Sequence, residues 1–388
     1  MTSAPHTRPS GDPEAICGPA LARLAVTRLR LTNFRSYATG EIAVSGAAVV
    51  LAGPNGAGKT NVLDAISLLS PGRGLRGAKL ADHARKGPHA AETLWAVAAT
   101  VTRGGGEHQI GTGLTGASAA RQVRLNGAAA GSSADLGDIV QLIWLTPAMD
   151  RLFTESAGGR RRFLDRLVLG FDAGHARAAT RYETAMRERA RLLKYGPRDP
   201  AWLDGLENEM AESGVLIAQD RAATVEKLAG ALAERGEAGA FPAASLALTD
   251  DLHLSSADDL RAAFAAGRMR DAEAGRTLAG PHTTDLHVRH TAKRADARDC
   301  STGEQKALLI SIMLADAREL ARARSGLAPL LLLDEIAAHL VATRRAALFE
   351  EIAALGAQAW MTGTDLSLFT GAQAEIFLVE NGQFLRQE

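Results

Sequence analysis

Gly53-Pro54-Asn55-Gly56-Ala57-Gly58-Lys59-Thr60 has the spacing G-x-x-x-x-G-K-[ST] between an apolar run and a helical pattern. Glycines at these positions let backbone N–H groups wrap a polyphosphate at a helix N-terminus, where the dipole favours anions. Lys59 is placed to reach the β- and γ-phosphates of ATP, and the Thr60 hydroxyl to ligate Mg²⁺. A second chemical cluster ends the run Leu330-Leu331-Leu332-Leu333-Asp334-Glu335. An aspartate at the tip of a buried strand beside such a loop can hold the same Mg²⁺, and the next glutamate, Glu335, can polarise an attacking water as the catalytic carboxylate. A third cluster, Ser301-Thr302-Gly303-Glu304-Gln305-Lys306, lies 33 residues before Asp334 and opens a long apolar helix. Ser301 and Gly303 at that helix start make a second anion cradle with no lysine of its own, and Ser301 with Glu304 satisfies a capping box, which does not compete with that role.

The elements that must position these groups are legible from pattern. Leu24 to Leu31 and Ala47 to Ala52 read as strands, and Asn61 to Ser70 as a helix. Trp95 to Val101 and Gln122 to Leu125 add strands, the second ending at the hairpin pair Asn126-Gly127. Ile139 to Leu145 is a further apolar strand; from Gly158 to Gly236 the pattern is helical. Mixed strands and turns are expected from Phe241 to His290, then helix, strand, helix and strand from Ser301 onward. The sum is an α/β protein: a P-loop ATPase head of mixed sheet plus β-rich subdomain, with an inserted, mainly helical lobe.

Composition narrows the class. The 388 residues are 46% apolar and 23% charged, which suits a globular protein of two or three units. No apolar stretch approaches the roughly 18 residues of a membrane span. Four prolines and no apolar block mark residues 1–23 as a frayed tail in a cytoplasmic protein, and two cysteines cannot build a disulfide framework. Cys300 reads as a packed thiol, with a redox-sensitive role as the alternative. Basic and acidic residues balance at 44 each, so nucleic acid must be held by a local patch and not by a global field.

Residues 158–198 carry ten Arg and one Lys against four acids, and residues 199–237 carry nine acids against three basic residues. Opposite charge on either side of Tyr195-Gly196-Pro197 suggests an antiparallel pair of helices, read either as a solvated salt-bridged pair or as a phosphate-facing surface headed by Arg160, Arg161 and Arg162.

The Ser-x-Gly-Glu motif followed by an apolar strand ending in Asp-Glu resembles the signature and Walker B motifs of ABC-type ATPases. In that group the signature of one subunit closes on the nucleotide of another. Lys59 and Asp334 are 275 residues apart, too far for a transporter cassette and too near for the long coiled coil of an SMC protein. Leu29 to Tyr37, the P-loop, Trp144 to Pro147, Arg160 to Asp165, Gly280-Pro281-His282, Ser301 to Lys306, Leu331 to His339 and Thr362 to Asp365 stand in the order of the RecF family, which the chain resembles from Leu24 to Glu388.

That resemblance implies Arg35 and Ser36 beside the bound phosphates and Thr364 near a γ-phosphate-sensing position. It implies an ATP-driven homodimer that clamps single-stranded, gapped or duplex DNA at gap junctions, with weak DNA-stimulated ATP turnover. It also implies partnership with RecO and RecR, indirect service to RecA loading, and roles in replication-fork maintenance and the SOS response. The expected division is a tail at 1–23, an ATPase half at 24–155, the lobe at 156–290 and a second ATPase half at 291–388. Three positions depart from the family pattern: Val341 stands where the loop after Walker B usually carries Asp, Thr283 follows Gly280-Pro281-His282 in place of Arg, and no Gln follows the Ile139 strand. The departures favour, as the alternative, a nucleotide-binding DNA-junction scaffold with little turnover.

Overall fold

The computed structural model describes residues 23–86, 95–114, 120–196, 199–236, 239–249 and 256–387. The tail expected at 1–23, apart from Arg23, and Pro197 of the expected helix turn lie outside them.

The chain begins with β1 (Ala25–Phe34), β2 (Tyr37–Ala43) and β3 (Ala48–Ala52), which leads through the glycine loop into α1 (Lys59–Ser67). Then come β4 (Trp95–Arg103), β5 (Gly106–Leu114), β6 (Gln122–Leu125), β7 (Ala128–Ala129) and β8 (Leu142–Leu145). The middle of the chain holds α2 (Ala157–Phe171), α3 (His175–Tyr195), α4 (Pro200–Arg235), β9 (Ala244–Thr249), α5 (Ala257–Ala274), β10 (Asp285–His290) and β11 (Ala295–Asp296). The chain closes with α6 (Thr302–Ala323), β12 (Leu330–Leu333), α7 (Ala342–Leu355), β13 (Ala359–Gly363), β14 (Ala374–Glu380) and β15 (Gln383–Gln387).

A mixed sheet ordered β15-β14-β3-β13-β12-β8 forms the centre, parallel except for β15. Its middle strands are apolar throughout because both faces are covered. Leu331 and Leu333 join one core with α6, α2 and Phe349 of α7, and Leu330 and Leu332 join another with α1 and the second sheet. That second sheet, β2-β1-β4-β5-β6-β7, is antiparallel and alternates buried with exposed residues, as in Trp95, Val97, Ala99 and Val101 of β4. Asn126 and Gly127 both take positive φ (50° and 86°), the geometry of a two-residue primed turn, between β6 and β7.

Two expectations about the middle of the chain are corrected. The helical stretch is three helices, not two: Asp172 to Gly174 separates α2 from α3, and the Gly174 N–H donates to the Asp172 carboxylate at 2.6 Å. The segment after Phe241 also contains the 18-residue helix α5, although mixed strands and turns were expected there. Its boundaries obey local rules: Ser256 accepts the Asp259 N–H, Asp258 and Asp259 occupy the first turn, and Gly275 (φ 65°) ends it. The expected oppositely charged antiparallel pair is α3 with α4, joined by Arg181–Glu209 and Arg189–Glu207. The 36-residue α4 spans about 54 Å at ~1.5 Å per residue. Its Val225, Leu228 and Leu232 join the core of the head, while Met210, Ala211 and Ile217 join a separate tip core with α3 and α5.

Candidate nucleotide site

The glycine loop departs from the C-terminal end of β3, beside β13 and one strand from β12, whose tip carries Asp334. Two of its glycines are demanded by close packing. At Gly53 (φ 147°) a Cβ would lie 2.5 Å from the Val379 carbonyl oxygen. At Gly58 (φ 107°) it would lie 2.8 Å from both Ser36 Oγ and Tyr37 Oη. Lys59 is buried, and its ammonium donates to the Gly53 and Pro54 carbonyls at 2.7 and 2.9 Å. Burial lowers the Lys59 pKa, and the carboxylates of Glu335 and Asp334 work against that shift.

Thr60 Oγ1 donates to Asp334 Oδ1 at 2.8 Å, and Thr362 Oγ1 donates to the same oxygen at 2.7 Å. A hydroxyl and a carboxylate thus converge from sequence positions 274 apart. This donor set fits Mg²⁺, which takes one or two carboxylates with phosphate and water oxygens and needs no all-protein cage. Among the described residues no group of three His, Cys, Asp or Glu could hold a metal. Glu335 adopts left-handed backbone (φ 51°), unusual for a non-glycine residue, and its N–H donates to Thr362 Oγ1 at 2.9 Å. Thr362 therefore holds the Asp334 carboxylate and the Glu335 backbone at once. Its role was not apparent from its type, but β13 pairs Met361 with Leu333, which puts Thr362 level with Asp334.

The tip of the β1–β2 hairpin docks on this loop. Phe34 pairs with Tyr37 across the turn Arg35-Ser36, with Arg35 at φ 52°. Ser36 Oγ accepts from Asn61 Nδ2 at 2.9 Å, and Tyr37 Oη donates to the Gly58 carbonyl at 3.1 Å. Ser36 is therefore placed at the loop, as expected. The expectation that Arg35 faces the phosphates is corrected: its guanidinium is held by the buried Asp64 of α1 at 2.8–2.9 Å and by the Asp82 carbonyl at 2.9 Å. Burial raises the Asp64 pKa, but His83 and Arg35 outweigh it and hold the carboxyl low. Asp64 was the missed residue; its signal is an acid inside the apolar run Val62-Leu63-Asp64-Ala65-Ile66. Thr364 lies exposed just beyond β13.

The signature cluster occupies the N-terminus of α6. Ser301 and Gly303 are exposed, and the Glu304 carboxylate accepts the Ser301 N–H at 3.1 Å and hydroxyl at 3.0 Å. Lys293 first, then these bonds, hold the Glu304 pKa down at about 2. Where a Gln was missing after β8, Asp150 instead pairs with the buried Lys306 of α6 at 3.3 Å, tying that segment to the signature helix. From β3, which carries the glycine loop, to β8 is three strand spacings, about 14 Å at ~4.8 Å each. The two anion cradles of one chain thus stand apart. Val341, at the end of the loop between β12 and α7, is 65% exposed.

The phosphate-facing reading of Arg160, Arg161 and Arg162 is corrected for Arg160. Arg160 forms a bidentate pair with Asp285 (2.9 and 2.7 Å) and donates to the Glu155 carbonyl at 2.6 Å. Arg161 donates to the Thr284 carbonyl at 3.0 Å, and only Arg162 is exposed. A helix buries one face in every three or four residues, so consecutive arginines cannot all point outward.

The family model RecF/RecN/SMC N terminal domain matches residues 25–383. A relative from Mesorhizobium japonicum, the DNA replication and repair protein RecF, is 50% identical over 93% of this chain and 97% of its own. Two solved structures of the recombination mediator protein RecF in the RecFOR pathway, RecF-ATPrS and RecF-ATP, share the fold at TM-scores of 0.82 and 0.80. Each is 20% identical and covers 94% of this chain and 98% of its own.

Proposed function

The chain belongs to the RecF family of DNA replication and repair proteins, and on that premise we propose that it is an ATP-dependent DNA clamp of recombinational gap repair. The observation that carries the ATPase half of this reading is the convergence of Thr60 and Thr362 on Asp334, with Glu335 strained beside it. The loop N–H groups and Lys59 bind and orient the triphosphate, phosphate oxygens replacing the Gly53 and Pro54 carbonyls on the ammonium. Thr60 and Asp334 would hold Mg²⁺, which would supply positive charge to neutralise the triphosphate. Glu335 accepts a proton from the attacking water, and Thr362 fixes its position.

Ser301, Gly303 and Glu304 face outward and away from their own loop, which supports a nucleotide shared between two copies of the chain. Loading and hydrolysis then close and reopen a homodimer on gapped or single-strand/double-strand DNA. RecO and RecR are its proposed partners, RecA loading and SOS induction the downstream consequences. The proposed division keeps the ATPase halves at 24–155 and 291–388 and the lobe at 156–290. No helix among the described residues is long and apolar enough to cross a membrane.

Light scattering with ATP and Mg²⁺, with and without gapped DNA, tests this alongside phosphate release. Glu335→Gln is expected to keep the ATP-dependent dimer while turnover falls about 10²- to 10⁴-fold. Unchanged turnover removes Glu335 from the mechanism, and a monomer under all conditions removes the shared-nucleotide reading. The exposed Val341 supports a second reading, in which the dimer forms but turns over little; wild-type dimers without phosphate release would establish that scaffold.

A further inference from the structure

We propose that the cleft between α3 and the loop 275–283 is a phosphodiester-binding site, occupied by the backbone of the bound DNA. This deepens the clamp reading and rests on it. The cleft has a volume of about 390 Å³ and is lined by Arg161, Arg187 and Arg276 together with Met186, Leu278 and Thr283. Arg187 and Arg276 are exposed, and Arg161 is half-buried.

Four other arginines of this lobe are neutralised by carboxylates: Arg181 by Glu209, Arg189 by Glu207 and Asp271, Arg221 by Asp165, and Arg268 by Asp204 and Glu207. Among the described residues, the three cleft guanidiniums have no such partner. Arg161 donates to the Thr284 carbonyl and Arg187 to the Glu183 carbonyl, so their charge remains uncompensated. The two acids behind Arg161 are engaged elsewhere, Asp285 by Arg160 and Asp165 by Arg221 and His175.

The rim is built so that it cannot collapse onto these charges. Arg189 donates to Thr277 Oγ1 at 3.0 Å, and Asp271 accepts the Leu278 N–H at 3.0 Å. His282 bridges Tyr182 Oη at 2.7 Å and the Thr277 carbonyl at 2.9 Å. At Gly280 (φ 124°) a Cβ would lie 2.4 Å from Tyr182 Oη, so the loop is seated on that tyrosine. Gly280-Pro281-His282 therefore holds a cleft open, and Arg221 secures it through the Pro281 carbonyl at 2.6 Å.

Planar guanidiniums bind phosphate oxygens in bidentate geometry, and open clefts lined by them neutralise a polymer backbone. The apolar floor of Met186 and Leu278 would cover a sugar or base edge. Nothing here resembles the glycine-rich N–H cradle that the chain uses for a free nucleotide.

The test is a salt titration of binding to a fluorophore-labelled gapped duplex with ATP and Mg²⁺, comparing wild type, R187A/R276A and R187K/R276K. Affinity of the alanine variant is expected to fall about tenfold or more, and its slope of log K against log salt by about two, roughly one for each arginine removed. The lysine variant should keep the slope while losing part of the affinity, and ATP-dependent dimerisation should be unaltered in both. Unchanged DNA affinity and slope in R187A/R276A overturns the inference and leaves the clamp intact. Absence of DNA binding by the wild type overturns the clamp itself. If the alanine variant keeps its DNA affinity but loses thermal stabilisation by inorganic phosphate, the site serves a free anion and the DNA assignment is wrong.

Discussion

The nucleotide end of the head and the helical lobe are both rich in buried charge and use it in opposite ways. In the lobe, charge is spent on structure. Arg189 is fully buried and bonded to Glu207, Asp271, Thr277 Oγ1 and the Phe264 carbonyl, so four of its five N–H donors are spent inside the lobe. At the nucleotide end, among the described residues, the side chain of buried Lys59 has only carbonyl oxygens of its own loop as hydrogen-bond partners, and that of Asp334 only two hydroxyls. Neutral partners compensate a buried charge less completely than an opposite charge does, so these groups are left able to exchange them for phosphate or metal. The difference teaches that burial alone does not mark function; the charge and completeness of the partner set do.

The comparison can be broken at its strongest point in the lobe. Arg189→Met strands the carboxylate of Asp271 and half the partners of Glu207, and is expected to cost about 3–5 kcal/mol, read as a lower urea midpoint for the lobe. A loss under 1 kcal/mol would mean that the network is dispensable. Lys59→Ala removes a charge with no carboxylate bonded to it, so the unfolding midpoint should move little while ATP affinity falls by roughly 1.5–3 kcal/mol, measured by calorimetric titration. Equal losses of stability and affinity would erase the distinction.

The smallest effect is in pH dependence. Burial lowers the His175 pKa, but Asp165 and Asp220, on either side of the ring at 3.1 and 2.9 Å, outweigh it and raise the pKa above its ordinary value. A group whose pKa is raised on folding contributes stability in full below the unfolded value of about 6.5, and loses it as pH climbs through the folded value. Urea midpoints should therefore decline as pH rises from about 6.5, and His175→Gln should flatten that decline. A variant with the wild-type slope would show that the ring carries no charge.

The parts of the site that could be read in advance are those whose chemistry is local. Gly53 to Thr60 form a contiguous motif because a turn and a helix N-terminus are contiguous objects, and Leu330 to Glu335 is a strand with its own tip. Ser301 and Glu304 were readable for the same reason, as a cap within one helical turn. The helix α5 was missed although Ser256, Asp259 and Gly275 mark its ends, because its apolar periodicity is weak and the cap signals alone were not followed.

Direction was what the pattern could not supply. Arg35 and Arg160 have the residue type of phosphate binders, yet each is turned onto a carboxylate, Asp64 or Asp285, from a distant part of the chain. Thr362 opens the Thr362 to Asp365 landmark and Lys306 closes the signature cluster, but neither position reveals which acid it meets. They became site residues only when register and packing brought Asp334 and Asp150 to them.

By itself the sequence determined that a glycine loop ahead of a helix, an apolar strand tipped by Asp334 and Glu335, and a capped helix start at Ser301 share one chain, because each is a short-range arrangement of backbone and neighbouring side chains. Only the tertiary structure decided which of the many arginines are free. That depends on whether a carboxylate from another element arrives within hydrogen-bonding distance, and such pairings span separations as large as the 125 residues between Arg160 and Asp285.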